Sequence, residues 1–314
     1  MSQGPPLRLA TRGSPLARWQ AARVAELLAA AGVAPRCETV VVSTAGDRRT
    51  DVPLSSIGGQ GVFVKEVQAA VLDGRADLAV HSAKDLPAAT PEGLVLACVP
   101  ERADPRDAMV GSTLDALATG AVVATGSVRR RAQLAWLRPD LSFCELRGNM
   151  ARRLDEAEAV GAGVVAYAAL VRLGLTRRAA EVLDPGTLLP QVAQGALAVE
   201  CRAGDERVLG ALAVVDDDAV HRAVRAERAF LGALGGGCSI PVGALAVPGA
   251  DDELVLDAML AGRDGRVLLR RRAAGRDPDA LGRELARVLL DESGGRSLAD
   301  WAPVDRAPAD RDTP

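Results

Sequence analysis

The sequence has few of the side chains with which proteins bind nucleic acids. Only 2% of its 314 residues are aromatic (three Trp, one Tyr and three Phe), and the formal net charge at pH 7 is −3. Nucleic-acid-binding proteins need a basic surface for the phosphates, and those that hold single strands also use aromatic rings for base stacking. The composition therefore argues against nucleic acid as a partner.

Cysteine and histidine are also scarce. Five cysteines are widely spaced without a Cys-x-x-Cys pair, and only two histidines, His81 and His221, accompany them. This pattern argues against a disulfide framework, a structural zinc site and metal catalysis, so we expect no metal. Four of the cysteines lie in or beside apolar runs and are expected in the core: Cys37, Cys98, Cys144 and Cys201.

Long apolar segments are absent. No run of about 18 uncharged apolar residues occurs, so we expect no segment that crosses a membrane. The first residues lack the basic and apolar blocks of a signal peptide, which predicts a cytoplasmic location. With 48% hydrophobic and 25% charged residues, the composition is that of a globular protein of two or three domains.

Positive charge is concentrated between residues 121 and 153, where seven arginines accompany only two carboxylates. A basic segment in an acidic protein predicts a site for a small acidic ligand rather than for a polymer. We expect Arg131, Arg138 and Arg152 to be solvated on helix surfaces. The other four arginines of the segment are Arg129, Arg130, Arg147 and Arg153.

Lysine is nearly absent, since Lys65 and Lys84 are the two lysines of a chain that has 36 arginines. An ammonium is a compact point charge and a guanidinium a planar fork, so a retained lysine indicates a position where this difference matters. Lys84 and Asp85 follow a predicted strand at residues 76–80, and open α/β sheets bind ligands at the carboxyl ends of their strands. This favours a functional pair over the alternative, a surface ion pair.

Strands and helices alternate along most of the chain. A strand at residues 7–10 precedes Ser14, which is a typical helix N-cap, and Pro15 at the first helical position. Arg12 and Ser14 therefore lie at a helix N-terminus, which favours anions, although an ordinary cap beside a solvated arginine is the alternative. The glycine-rich residues 46–61 are predicted to form a mobile loop, a candidate lid.

Residues 100–107 are typical of a hinge, and the alternation of strands and helices begins again after them. The pattern predicts an α/β protein with two βα lobes around a ligand cleft and a small α+β C-terminal domain. The expected boundaries are 1–100 with 196–215 for the first lobe, 101–195 for the second lobe, 216–302 for the small domain and 303–314 for a disordered tail.

Three glycines at residues 235–237 precede Cys238, and Pro241 follows it. Glycines allow crowded backbone conformations and leave the thiol without bulky neighbours on one side, so that a ligand could reach it. Taken alone, a turn with a buried structural thiol is the more common situation.

Together these motifs resemble the porphobilinogen deaminase family, also called hydroxymethylbilane synthases, and the resemblance extends over roughly residues 7–292. No single motif is decisive, but several of them at consistent spacing are specific. They are residues 10–17 (ATRGSPLA), 63–66 (FVKE), 81–87 (HSAKDLP), 106–108 (RDA), 125–130 (TGSVRR), 146–149 (LRGN), 194–196 (QGA) and 236–243 (GGCSIPVG).

The resemblance implies an enzyme that joins four porphobilinogen molecules head to tail, with loss of ammonia, to give hydroxymethylbilane. It also implies a covalent dipyrromethane cofactor, two periplasmic-binding-protein-like lobes and a monomer. The residues that match family positions are Asp85 as the catalytic carboxylate; Cys238, as the thioether attachment, with Lys84, Ser127, Arg129 and Arg130 for the cofactor; and Arg12, Ser14, Gln20, Arg147 and Arg153 for the substrate.

The residue chemistry agrees with this resemblance, because porphobilinogen carries acetate and propionate groups and arginine binds carboxylates bidentately. The alternative class is a non-catalytic, two-lobed binding protein for an organic acid, which would need neither Cys238 nor Asp85 and usually carries a secretion signal. Gly235 departs from the family pattern, in which an acidic residue is common at this position. Neither this departure nor the variable Val128 removes a group with a chemical role.

Overall fold

A computed structural model describes residues 5–34, 36–44, 61, 63–235 and 240–298. The strands are β1 (Leu7–Arg12), β2 (Cys37–Val42), β3 (Leu78–Ser82), β4 (Leu94–Cys98), β5 (Asp107–Val110), β6 (Val122–Ala124), β7 (Ser142–Cys144), β8 (Gly163–Ala166), β9 (Ala179–Val182), β10 (Leu197–Arg202), β11 (Val242–Pro248), β12 (Leu254–Ala261) and β13 (Leu268–Gly275). The α-helices are α1 (Pro15–Ala30), α2 (Lys65–Leu72), α3 (Val128–Leu137), α4 (Met150–Val160), α5 (Tyr167–Arg172), α6 (Glu206–Ala213), α7 (Asp218–Ala233) and α8 (Pro278–Arg287).

The first sheet has the strand order β2-β1-β3-β10-β4. Strand β1 pairs in parallel with β2 and β3, whereas β10 runs antiparallel to both of its neighbours, β3 and β4. Helix α1 begins as its sequence predicts, because the Ser14 side chain accepts a hydrogen bond from the Ala17 amide and Pro15 occupies the first turn. Because β1 and β3 are parallel neighbours, their carboxyl ends lie side by side.

The second sheet repeats this topology, with the order β7-β6-β8-β5-β9. Strand β6 is parallel to β7 and β8, and β5 is antiparallel to β8 and β9. Ser127 caps α3 and Asn149 caps α4, so both helices begin directly after strand ends. Each sheet therefore has its strand–helix junctions along one edge, where βα proteins carry their ligand sites.

Two segments connect the sheets, residues 99–106 from β4 to β5 and residues 183–196 from β9 to β10. They touch at a bridge between Arg102 and Ala196. Gly195 adopts a φ of +88°, and a Cβ at this position would lie 2.3 Å from the Ala103 carbonyl oxygen. Only glycine fits this crossing without strain.

The third sheet is a separate antiparallel unit of β11, β12 and β13, covered by the helices α7 and α8. Its core includes Phe230, Leu256 and Leu285 and continues into Ala83 and Leu86 of the first lobe. The two βα lobes with equivalent strand order and the small α+β unit confirm the predicted periplasmic-binding-protein-like fold class.

The structure differs from the sequence-based expectations at several elements. The β-branched, apolar sequence of residues 37–43 predicts a buried strand, but β2 is an edge strand with exposed side chains at Glu38, Thr39 and Val41. Strands β5 and β9 and helix α5 were not predicted. None of the helices in the described part of the chain has the length and hydropathy needed to cross a bilayer. Residues 46–60 of the predicted lid at 46–61, residues 236–239 around Cys238 and the predicted tail at 303–314 lie outside the described residues.

Candidate active site

The first lobe contributes side chains from the adjacent ends of β1 and β3. Arg12 is the last residue of β1, and its guanidinium carbon lies 4.1 Å from the centre of the Phe63 ring. Gln20, from α1, is buried and donates from Nε2 to Ser82 Oγ at 2.7 Å. Gln20 and Arg12 line one cavity together with Ser14, Phe63, His81, Ser82 and Asp85.

Lys84 and Asp85 belong to a single 3-10 turn, Ala83–Asp85, that directly follows β3. The Lys84 ammonium lies 3.5 Å from Gln194 Oε1, and the Lys84 carbonyl accepts a hydrogen bond of 3.2 Å from Gln191 Nε2. Burial lowers the pKa of Lys84 to about 8, since the opposing effect of Asp85 is smaller than the loss of hydration. Through its contacts with Gln191 and Gln194, Lys84 links the first lobe to the second connecting segment.

In the second lobe, Arg129 and Arg130 are buried around one carboxylate, Asp107. Arg130 donates to Asp107 Oδ1 from Nε at 3.0 Å and from Nη2 at 2.8 Å, and Arg129 Nη1 lies 2.7 Å from Asp107 Oδ2. Burial by itself would raise the pKa of Asp107, but the two guanidinium groups outweigh burial and hold it well below its usual range. Two arginines thus share one negative charge.

Gln194 links this buried cluster to the first lobe. Its Nε2 donates to Asp107 Oδ1 at 2.9 Å and to the Pro105 carbonyl at 2.7 Å, while its Oε1 faces Lys84. Sequence reasoning quoted the motifs that contain Asp107 and Gln194 but assigned no role to either residue. The sequence feature that could have indicated a role for Asp107 is a carboxylate at the start of the lobe that contains the arginine-rich segment.

Arg147 and Arg153 flank the N-terminus of α4. Arg147 lies 3.8 Å from Glu145, and Arg153 has a buried Nε that no described residue accepts from. Burial lowers the pKa of Arg153, the positive charges of Arg130, Arg12 and Arg147 lower it further, and Asp85 opposes them. Charged groups of both lobes therefore lie close enough to Arg153 to affect its pKa. This indicates that the candidate residues of the two sheet edges face one cleft.

Three other arginines of the basic segment, expected to be solvated on helix surfaces, form ion pairs. Arg131 pairs with Glu145 at 3.4 Å, Arg138 with Asp140 at 2.7 Å and Arg152 with Glu156 at 2.6 Å.

The sequence matches two family descriptions over most of its length. "Porphobilinogen deaminase, dipyromethane cofactor binding domain" covers residues 7–210, and "Porphobilinogen deaminase, C-terminal domain" covers residues 221–291. The chain belongs to the porphobilinogen deaminase family. It is an enzyme, a transferase of tetrapyrrole biosynthesis that condenses four porphobilinogen molecules into hydroxymethylbilane with loss of ammonia.

Curated porphobilinogen deaminases are similar to this chain over most of its length. The protein of Acidothermus cellulolyticus is 50% identical over 295 residues, which cover 90% of this chain and 88% of that protein. The proteins of Roseiflexus castenholzii and Moorella thermoacetica are each 47% identical and cover 93% and 94% of this chain, and 98% and 96% of their own lengths.

Solved structures with a similar but distant fold include the VFT2 domain of BvgS from Bordetella pertussis, with a TM-score of 0.39 and 19% identity over 68% of this chain and 88% of that one. A putative lipoprotein of Ruminococcus gnavus has a TM-score of 0.41 and 11% identity over 69% of this chain and 93% of that one.

The side chains of the cleft fit the dipyrromethane cofactor of the family. The cofactor is built from porphobilinogen and carries two carboxylates per ring, and the cleft provides buried N–H donors for such groups. Arg153 Nε and Arg129 Nε and Nη2 have no acceptor among the described residues. Cys238, expected to carry the thioether, lies outside the described residues.

Proposed function

We propose that the cleft residues divide the established reaction into three tasks. Asp85 is the catalytic carboxylate. Cys238 attaches the cofactor. The carboxylates of the cofactor are bound by Lys84, Ser127, Arg129 and Arg130. The incoming substrate is bound by Arg12, Ser14, Gln20, Arg147 and Arg153.

The observation that carries the proposal is geometric: Lys84, directly after β3, lies 3.5 Å from Gln194 Oε1, and the Gln194 amide donates to Asp107, the partner of Arg130. The charges around Arg153 agree with it. Arg12 and Asp85 come from the first sheet edge and Arg130 and Arg147 from the second, yet the charges of all four act on Arg153. Because arginines outnumber carboxylates here, the cleft attracts a ligand that brings several negative charges. A growing chain of pyrroles brings two carboxylates per ring.

Asp85 lies on the cavity wall beside Arg12 and Gln20. As ammonia leaves porphobilinogen, positive charge develops on the pyrrole, and a fixed carboxylate near the pyrrole N–H stabilises that charge. The same carboxylate accepts the proton that the attacking ring carbon loses once the new carbon–carbon bond has formed, and passes it to the departing ammonia. The bound cofactor supplies the free pyrrole α-carbon that acts as the nucleophile.

Arg129 and Arg130 differ from the other cleft arginines because Asp107 fixes both of them. Arg130 also donates to the Val164 carbonyl at 2.9 Å, and Arg129 to the Leu189 carbonyl at 2.7 Å. Their planes are therefore oriented before any ligand arrives, which reduces the entropy lost on binding. One carboxylate leaves the pair with a net positive charge for the acid groups of the cofactor.

The three sheets correspond in this proposal to three domains: residues 1–100 with 196–215, residues 101–195 and residues 216–302. By likeness to its family, the enzyme works as a monomer in the cytoplasm. Sedimentation of the purified enzyme at several concentrations tests the monomer.

The decisive experiment compares the intact masses of wild-type protein and Cys238→Ser. The wild type should exceed its sequence mass by two linked pyrrole units, and Cys238→Ser should not. Asp85→Ala serves as the matched variant, because it should accept the cofactor and yet fail to turn over porphobilinogen. The same mass excess of two pyrrole units in wild type and Cys238→Ser after incubation with porphobilinogen would contradict the assignment of Cys238.

A further inference from the structure

A second surface cavity, of about 450 Å³, lies between α7, α8 and the turn at Ala88. None of the residues that line it belongs to the active-site cleft. Its walls combine small side chains, such as Ala229 and Ala233, with three arginines, Arg225, Arg228 and Arg283, and one carboxylate, Asp279. The cavity is thus basic and has room for a ligand of several atoms.

Three arginines follow one another at spacings of three along α7, and residues at this spacing lie on the same face of a helix. Arg222 pairs with Asp252, and Arg225 pairs with Asp279. Arg228 is the third of the series. Among the residues that the structure describes, it has no carboxylate within ion-pair distance.

Arg228 is also the most deeply buried of the three, with 9% of its surface exposed. Its Nη2 donates to the Ala88 carbonyl at 3.0 Å, which uses one of the five N–H donors of a guanidinium. Burial lowers the pKa of Arg228, and the more distant Glu200 compensates for this only in part. A buried cation without a carboxylate at ion-pair distance, at a cavity wall, is costly unless an anion approaches it.

Arg283 belongs to α8 and lines the same cavity. Since Asp279 is already paired with Arg225, Arg228 and Arg283 provide the excess positive charge. We propose that this cavity is a binding site for a small oxyanion, either a phosphate or the carboxylates of an organic acid. Both groups match the planar, bidentate donors of arginine.

The position of the cavity gives such an anion a structural consequence. Ala88 lies three residues after Asp85 in the first lobe, and Ala233 lies five residues before Cys238 in the third unit. An anion bound between Arg228 and Arg283 holds the Ala88 turn, α7 and α8 together. It therefore stabilises the interface between the lobe that carries the catalytic carboxylate and the helix that leads to the attachment site.

The test is a calorimetric titration of cofactor-loaded enzyme with inorganic phosphate, in a buffer without other oxyanions. The wild type should bind one phosphate with saturation, and Arg228→Gln should weaken binding at least tenfold. Ala233→Glu provides a second variant that leaves every arginine in place and adds a negative charge at an exposed position, and it should have a similar effect. Arg266→Gln, which removes a positive charge from the exposed β12–β13 turn, is the matched control and should not change the affinity.

A parallel titration with citrate distinguishes the two ligand sources. Tighter binding of citrate assigns the site to a polycarboxylate, and tighter binding of phosphate assigns it to a phosphate. Equal affinities in the wild type and Ala233→Glu overturn the proposal. So does binding that is lost in Arg147→Gln but kept in Ala233→Glu, because the anion would then occupy the active-site cleft.

Discussion

Glu227 of α7 is completely buried and accepts a hydrogen bond of 2.6 Å from Arg102 Nη1, in the segment that connects the two lobes. The same carboxylate also accepts from the Ala193 amide at 2.6 Å and from the Ala246 amide at 2.8 Å. One side chain therefore joins both connecting segments to the α+β unit.

Glu227→Ala should lower the free energy of unfolding by about 3–5 kcal/mol, because it leaves Arg102 without its counter-ion and two buried amides without acceptors. Denaturant unfolding monitored by circular dichroism measures the loss. Glu284→Ala is the control, since Glu284 forms an exposed pair with Arg287 within one helix and should change stability little. Similar losses in the two variants would show that Glu227 has no special structural role.

Gly195→Ala should destabilise the protein by at least about 2 kcal/mol, because an alanine there combines a positive φ with a clash against the Ala103 carbonyl. Gly204→Ala is the matched control, since a Cβ at Gly204 meets no atom within 4 Å. Thermal unfolding of both variants checks the prediction. If Gly195→Ala and Gly204→Ala unfold at the same temperature, the crossing of the two segments is more adaptable than the structure indicates.

Local signals predicted the helix starts and the ligand-binding edges of this chain. Ser14 acts as a helix cap at the position that the sequence indicates, and it is followed by the predicted helix. The pairing of strands over long sequence distances has no such local signal. Strand β5 has only four residues and was not predicted, and its first residue, Asp107, was assigned to the hinge at residues 100–107, although β5 lies within the second sheet between β8 and β9.

Contacts between residues far apart in the sequence also limited the prediction of the candidate site. The resemblance to the family pointed to Arg12, Lys84, Arg130 and Arg153, and in the structure charges from both lobes lie near Arg153. The buried roles of Asp107 and Gln194 could not be predicted, because they depend on contacts with Arg130 and Lys84 from elements far away in the sequence. Likewise, the apolar residues of β2 gave no sign that it forms an edge of its sheet.

Lys84 should make the stability of the cofactor-free protein depend on pH above pH 8. The pKa of Lys84 is about 8 in the folded state and near 10.5 when unperturbed, so the unfolded chain binds more protons between these values. Stability should therefore rise with pH across this interval, relative to a variant that cannot titrate. Denaturant unfolding of Cys238→Ser and of Cys238→Ser with Lys84→Met, at pH 7 to 10, measures the difference. A constant difference between the two proteins would contradict the lowered pKa.

Asp85→Ala should abolish turnover, whereas Asp85→Glu should leave a slow enzyme. The alanine variant has no negative charge to stabilise the developing positive charge, and the glutamate variant keeps the charge but moves it by one methylene from the position that the rigid turn after β3 sets. Steady-state assays of hydroxymethylbilane formation measure both rates.

Asp73→Ala is the control for these assays. It removes an exposed carboxylate of the same lobe, paired with Arg75, and should retain the wild-type rate. Because the turn containing Asp85 packs through Ala83 and Leu86 rather than through the carboxylate, both Asp85 variants should unfold at the wild-type temperature. Wild-type turnover by either variant would exclude Asp85 as the catalytic group.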